Sequence, residues 1–285
     1  MAQRQPMRSI SSEPSLGPLF QEIRDALQVS WTPSTFEQLA EIPDYLRIAW
    51  TALKPVAATA QFLRAAERLW QEALDDVEDI YHPSYETGDL QQLGVTLQDQ
   101  AEARTALTAL LYGGSQTLLA ITALTQAIHG RLTGDPQAMF WPRSRTTWSL
   151  ELIPMASERA SAEIERRVFE QARHELGMVE TSRALRLVGR FPRYLDVAWS
   201  DVVPLFGQGE LSAAVNDLIE LSERRVGQLP HGVEVTPEHL QKAGLSQRKV
   251  ERIRKILDTS LNQIATELIL TALLRYPLGS LRGGF

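Results

Sequence analysis

A nine-residue motif occurs twice in this chain, 149 positions apart. Ile42-Pro43-Asp44-Tyr45-Leu46-Arg47-Ile48-Ala49-Trp50 returns as Phe191-Pro192-Arg193-Tyr194-Leu195-Asp196-Val197-Ala198-Trp199, and Pro55 returns as Pro204. The correspondence runs on. Phe62, Ala66, Leu69, Trp70 and Val77 match Leu211, Val215, Leu218, Ile219 and Val226, and Thr122-Ala123-Leu124 matches Thr271-Ala272-Leu273. One stretch slips by a residue: Leu90-Gln91 and Gly94 answer Leu240-Gln241 and Gly244 at an offset of 150. Such a chain is a tandem duplication. Two copies of a unit this size present corresponding surfaces to each other as a symmetric dimer does, so the seam between them is the place to look for a ligand site.

Within each copy apolar residues recur at three- and four-residue steps, and no stretch alternates convincingly with period two. The pattern predicts an all-α fold: two tandem helical repeats forming one pseudo-two-fold body. Helices are expected over 19–27, 34–40, 43–53 and 58–80, a short one opening at Thr87-Gly88-Asp89-Leu90, and a long central pair over 99–129 broken near Gly113-Gly114. The second copy repeats this order, and Thr236-Pro237-Glu238-His239 is its clearest start signal, a capping Thr followed by Pro at the first helical position. Residues 16–130 and 151–280 are the repeats and 131–150 the linker. Residues 1–15 and 281–285 are flexible tails. The linker's Phe140, Trp141 and Trp148 are expected to pack against the body.

Composition removes several classes of chemistry. With no cysteine, disulfides, thiolate nucleophiles and Cys-ligated zinc are excluded. A net charge of −6 argues against nucleic acid as a partner, since that binding rests on clustered Lys and Arg. Thr105–Gly130 carries no Asp, Glu, Lys or Arg and is long enough to span a bilayer. Its Thr and Gln residues, and Lys255, Asp258 and Glu267 in its copy, fit a buried core helix better. No membrane partner is expected, and the polar N-terminal segment has no apolar run of a secretory signal, which implies a cytoplasmic protein. No Walker A loop, Gly-x-Gly-x-x-Gly or Gly-x-Ser-x-Gly elbow is present, so no cofactor is expected. Glu170 and His174 lie four residues apart without a third ligand, so no metal is expected either.

The motifs, in order and spacing, resemble the group I 2-haloacid dehalogenases of the DehI type. Leu27–Trp31 followed by Leu39–Leu46 resembles that family's N-terminal segment, and Tyr112-Gly113 followed by Ile121-Thr122-Ala123-Leu124 resembles its central helix. The resemblance covers about Leu19 to Gly279. It implies an all-helical pseudo-dimer with the active site between repeats, where an aspartate activates a water that displaces halide from the α-carbon. It sets Trp31, Ser34, Tyr112, Gly114, Ser182, Arg183, Ala184 and Thr259 around that site. The aspartate stands eight residues before the second pivot proline, where this chain has Ala184. The asparagine that holds the water becomes Gly114, a pocket tyrosine becomes Thr259, and the serine beside the aspartate becomes Arg183. Of two aromatic residues, Trp31 is kept and the other is Ser34. Glu180, four residues before Ala184, is a surrogate base if its helix begins that early.

The expectation is therefore a divergent homologue that keeps a small-molecule pocket. Its ligand would be a small organic acid, held by Arg183 or Arg186, or an apolar molecule. Ser34, Gly114 and Thr259 would enlarge that pocket. Whether the chain is an enzyme, a hydrolase of the haloacid type, stays open, as does its oligomeric state. The competing class is a helical scaffold or interaction protein whose cavity has filled with side chains.

Overall fold

A computed structural model describes residues 15–131, 133–135, 137–143, 154–157, 162–177 and 180–279. Among them no β-strand forms, and the fold is all-α. The first half holds α1 (Gly17–Leu27), α2 (Ser34–Leu39), α3 (Pro43–Ala57), α4 (Ala60–Ile80) and α5 (Leu97–Ile128). The second holds α6 (Glu163–Leu176), α7 (Arg183–Val188), α8 (Pro192–Val202), α9 (Gly209–Val226), α10 (Pro237–Lys242) and α11 (Gln247–Arg275).

The helices begin where local chemistry allows. Pro43 and Pro192 open α3 and α8 at the first turn, where a missing N–H costs nothing. Thr59, Thr96, Thr236 and Ser246 accept the backbone N–H of Phe62, Asp99, His239 and Lys249, capping α4, α5, α10 and α11. The segment after Gly88 winds only a 3-10 turn, Asp89–Gln91, in place of a short α-helix. The helix expected to end at Leu53 continues through Pro55 to Ala57.

The same bonds recur in both halves. Trp50 Nε1 donates to Glu22 Oε2 at 3.1 Å, and Trp199 Nε1 to Gln171 Oε1 at 3.0 Å. Arg24 reaches Thr32 Oγ1 at 2.9 Å, and Arg173 reaches Thr181 Oγ1 at 2.9 Å. Each pair is 149 positions from its counterpart. Gly94 and Gly244, 150 apart, both take positive φ, 86° and 90°, to turn the chain into the central helices. Tyr45 and Tyr194 are both fully buried.

The two long helices α5 and α11 pack on each other along the middle, flanked by α4 and α9. Thr122 Oγ1 of α5 meets Ser222 Oγ of α9 at 2.8 Å in the interior, which satisfies two buried hydroxyls. Helix α5 is long and apolar enough to cross a membrane by composition, yet 83% of its most apolar window is buried inside the protein, as befits a core helix.

Helix α5 is unbroken at Gly113-Gly114, contrary to the expected interruption. The glycines serve close approach, as Gly inside a helix commonly does. A Cβ at Gly113 would lie 2.5 Å from Val29 Cγ1 and 3.0 Å from Trp31 Cη2, and one at Gly114 would lie 2.9 Å from Leu268 Cδ2. The described part of the linker lies against the body. Its backbone ties to the body, with Ala60 N–H donating to Trp141 O at 2.8 Å and Arg143 N–H to Ala58 O at 3.0 Å. Its rings pack only in part: Phe140 lies 5.3 Å from the His231 ring, while Phe140 and Trp141 remain 52% and 55% exposed. Trp148, the 1–14 part of the N-terminal tail and residues 281–285 lie outside the described residues.

Candidate functional site

Helix α2 of the first half packs on α11 of the second, and α7 of the second packs on α5 of the first. These four elements enclose a cavity of about 590 Å³ at the seam. Trp31, Pro33, Ser34 and Glu37 supply one wall, and Glu180, Ser182, Arg183 and Arg186 the facing one. Gly114 and Thr117 of α5 and Gln263, Glu267, Leu268 and Thr271 of α11 form the floor. Gln263, Glu267 and Thr271 of α11 follow at four-residue steps with Leu268 beside Glu267, one face of a helix. Two cavities of similar volume, about 550 and 570 Å³, are lined by other residues. What sets the seam cavity apart is that it holds a cation and a carboxylate, each taken partly out of water.

The cation is Arg183. Its guanidinium lies 5.8 Å from the centre of the Trp31 ring, and its Nη2 donates to Thr32 O at 3.2 Å. Burial lowers its pKa, opposed by the charges of Glu37 and Glu267. The anion is Glu267, reaching across from α11 to the start of α7. Its Oε1 accepts from Ala184 N–H at 2.9 Å and from Ser182 Oγ at 3.1 Å. Burial raises its pKa above the ordinary carboxylate value and outweighs those donors and Arg183, all of which lower it. Ser182 is itself the N-cap of α7, accepting Leu185 N–H, so the carboxylate, the hydroxyl and the first amides of α7 form one bonded group.

Trp31, Ser34, Gly114, Glu180, Ser182 and Arg183 thus line one cavity. Three residues placed there by resemblance do not. Ala184 is fully buried behind the wall and offers the site only its N–H. Tyr112 turns away, its hydroxyl donating to Gln28 Oε1 at 2.8 Å. Thr259 is exposed, one turn before Gln263 where α11 leaves the cavity. Nor does Gly114 enlarge the space toward α11, because Leu268, 1% exposed, already fills it. Glu180 is exposed at the rim, whereas the more enclosed carboxylate is Glu267. The sequence did carry a signal for Glu267: it is an acid set into the apolar half of a core helix, a costly place for a charge without a use. Among the described residues no cluster of three or more His, Asp or Glu could hold a metal.

A family model described as halocarboxylic acid dehydrogenase DehI matches residues 30–185, more than half of the chain. This chain belongs to the DehI family. The match takes in α2, most of the cavity wall and α5, and ends at the first turn of α7. Solved structures agree on the fold. A D-2-haloacid dehalogenase mutant superposes with a TM-score of 0.85 at 18% identity, covering 96% of each chain. The D-2-haloacid dehalogenase complex with L-LA gives 0.85 at 17% identity over 94% of each chain. A mutant complex with D-2-CPA gives 0.85 at 18% identity over 94% of this DehI-family chain and 93% of the other. No curated protein sequence matches this member of the family.

Proposed function

We propose that the protein is a divergent 2-haloacid dehalogenase homologue that binds a short organic acid in the seam cavity. Its two helical units, 16–130 and 151–280, are read as tandem copies about a near two-fold axis through that cavity, and the protein as cytoplasmic. The observation that carries the reading is Arg183 against Trp31 in an open cavity: a half-buried guanidinium on an aromatic wall suits a small carboxylate with an apolar α-substituent. Glu37, Glu41 and Glu180 also line it, but they are exposed and screened by water. The volume, about 590 Å³, favours a ligand site over a packed scaffold seam.

The same site lacks a proton acceptor on α7, where Ala184 is fully buried. A positioned base contributes about 10²–10⁴-fold. Against a typical turnover of about 10 s⁻¹, halide release from 2-chloro- or 2-bromopropanoate should then fall below about 0.1 s⁻¹. The test is a titration with unreactive 2-hydroxypropanoate followed by tryptophan fluorescence, alongside halide release. Saturable binding with slow release fits the proposal. No binding of any short acid would favour the scaffold, and ordinary turnover would mean that the site is fully armed.

A further inference from the structure

The carboxylate missing from α7 has a counterpart on the facing helix. We propose that Glu267 accepts the proton of a water attacking the bound acid, serving from α11 in the place left by Ala184. This rests on the reading of the cavity as a short-acid site.

Glu267 lines the cavity, and its Oε1 is fixed by Ala184 N–H and Ser182 Oγ, which sets the carboxylate beside a methyl side chain at the start of α7. The bonds from Ala184 and Ser182 both fall on Oε1, the Arg183 backbone also donates to the carboxylate, and Oε2 is the oxygen proposed to take the water. Arg183, the residue next to Ser182, is placed to hold the ligand's own carboxylate in the same cavity. Desolvation makes Glu267 a stronger base than an exposed glutamate. Glu180 has neither the enclosure nor the anchoring.

The step balances without a further reactant. The water oxygen bonds to the α-carbon as the carbon–halogen bond breaks, and that bonding pair leaves with the halide. The water's proton passes to Glu267 and then to solvent, and the product is a 2-hydroxy acid inverted at the α-carbon.

The bland alternative is that Glu267 only caps α7. Glu267→Gln separates the two, because an amide oxygen still accepts both hydrogen bonds but takes no proton. Binding of 2-hydroxypropanoate should persist in the variant while the slow halide release of the wild type drops at least tenfold. In the wild type, release should rise with pH through one ionisation displaced above the ordinary carboxylate range, a readout that needs no variant to fold. Unchanged release in Glu267→Gln, pH-independent release, or a wild type that binds the acid yet frees no halide would each overturn the proposal. Failure to bind any short acid would instead remove the reading beneath it.

Discussion

Adding one methyl group at Gly113 should destabilise the protein more than adding one at its neighbour Gly114. Both sit inside α5, where replacing Gly by Ala gains about 1 kcal/mol of helix propensity. The surroundings differ. At Gly113 the new Cβ would lie 2.5 Å from Val29 Cγ1, 3.0 Å from Trp31 Cη2 and 3.2 Å from Cζ2. Val29 is β-branched and stiff, and an indole ring moves only as a unit, so overpacking costs about 1–3 kcal/mol. At Gly114 the contact is the terminal Cδ2 of Leu268 at 2.9 Å, which can rotate aside. The net effect is a loss of up to about 2 kcal/mol for Gly113→Ala and a value near zero for Gly114→Ala. At about 2–4 °C per kcal/mol the two Tm values should differ by several degrees. Only Gly113→Ala should shift tryptophan emission and weaken acid binding, since it displaces Trp31 from the cavity wall. Equal melting temperatures, or a larger loss at Gly114, would refute this account of why the glycines are there.

Asp76, flanked by Glu72, Asp75, Asp79 and Asp217, has its pKa raised by burial first and by those charges second, from 3.8 to about 6. A raised carboxyl pKa gives stability that is whole below the unfolded value and lost as pH rises through the folded one, so Asp76→Asn should match the wild type near pH 3.8 and melt higher above pH 6. Discounted for partial exposure, the gain is about 1 kcal/mol, read by thermal melts across that range. Ala184→Asp brings a second carboxylate against Glu267, and the pair will share a proton. It should cost about 2–4 kcal/mol at neutral pH, with the loss shrinking on acidification. Combined with Gly114→Asn, which must push Leu268 aside, it should raise halide release less than tenfold, and neither change alone should raise it.

The all-α fold was legible in the three- and four-residue spacing of the apolar residues. Helical spacing places the elements, and Trp31, Ser34, Gly114 and Arg183 share a cavity because α2 packs on α11 and α7 on α5. What sequence could not deliver was direction. Tyr112 and Gly114 are two residues apart on one helix, which turns them to different faces, so one lines the cavity and the other bonds Gln28. Thr259 lies on the same side of α11 as Gln263 but past the cavity's edge, a matter of how far the helix overlaps its neighbours. Gly114 suggests a void only until Leu268 is seen filling it. Glu267 escaped notice because the role of a lone acid on a core helix is set by the helix that faces it. The contact with Ser182 and Ala184 spans more than eighty residues of chain.

The central claim is that the seam cavity holds a short acid by its carboxylate. A crystal structure of the wild type grown with 2-hydroxypropanoate tests it most directly. The account predicts the ligand between α2, α5, α7 and α11, its carboxylate on the Arg183 guanidinium, its methyl against Trp31, and its α-carbon within reach of a water on Glu267. A ligand held elsewhere, or a cavity containing only solvent at saturating acid, would contradict it.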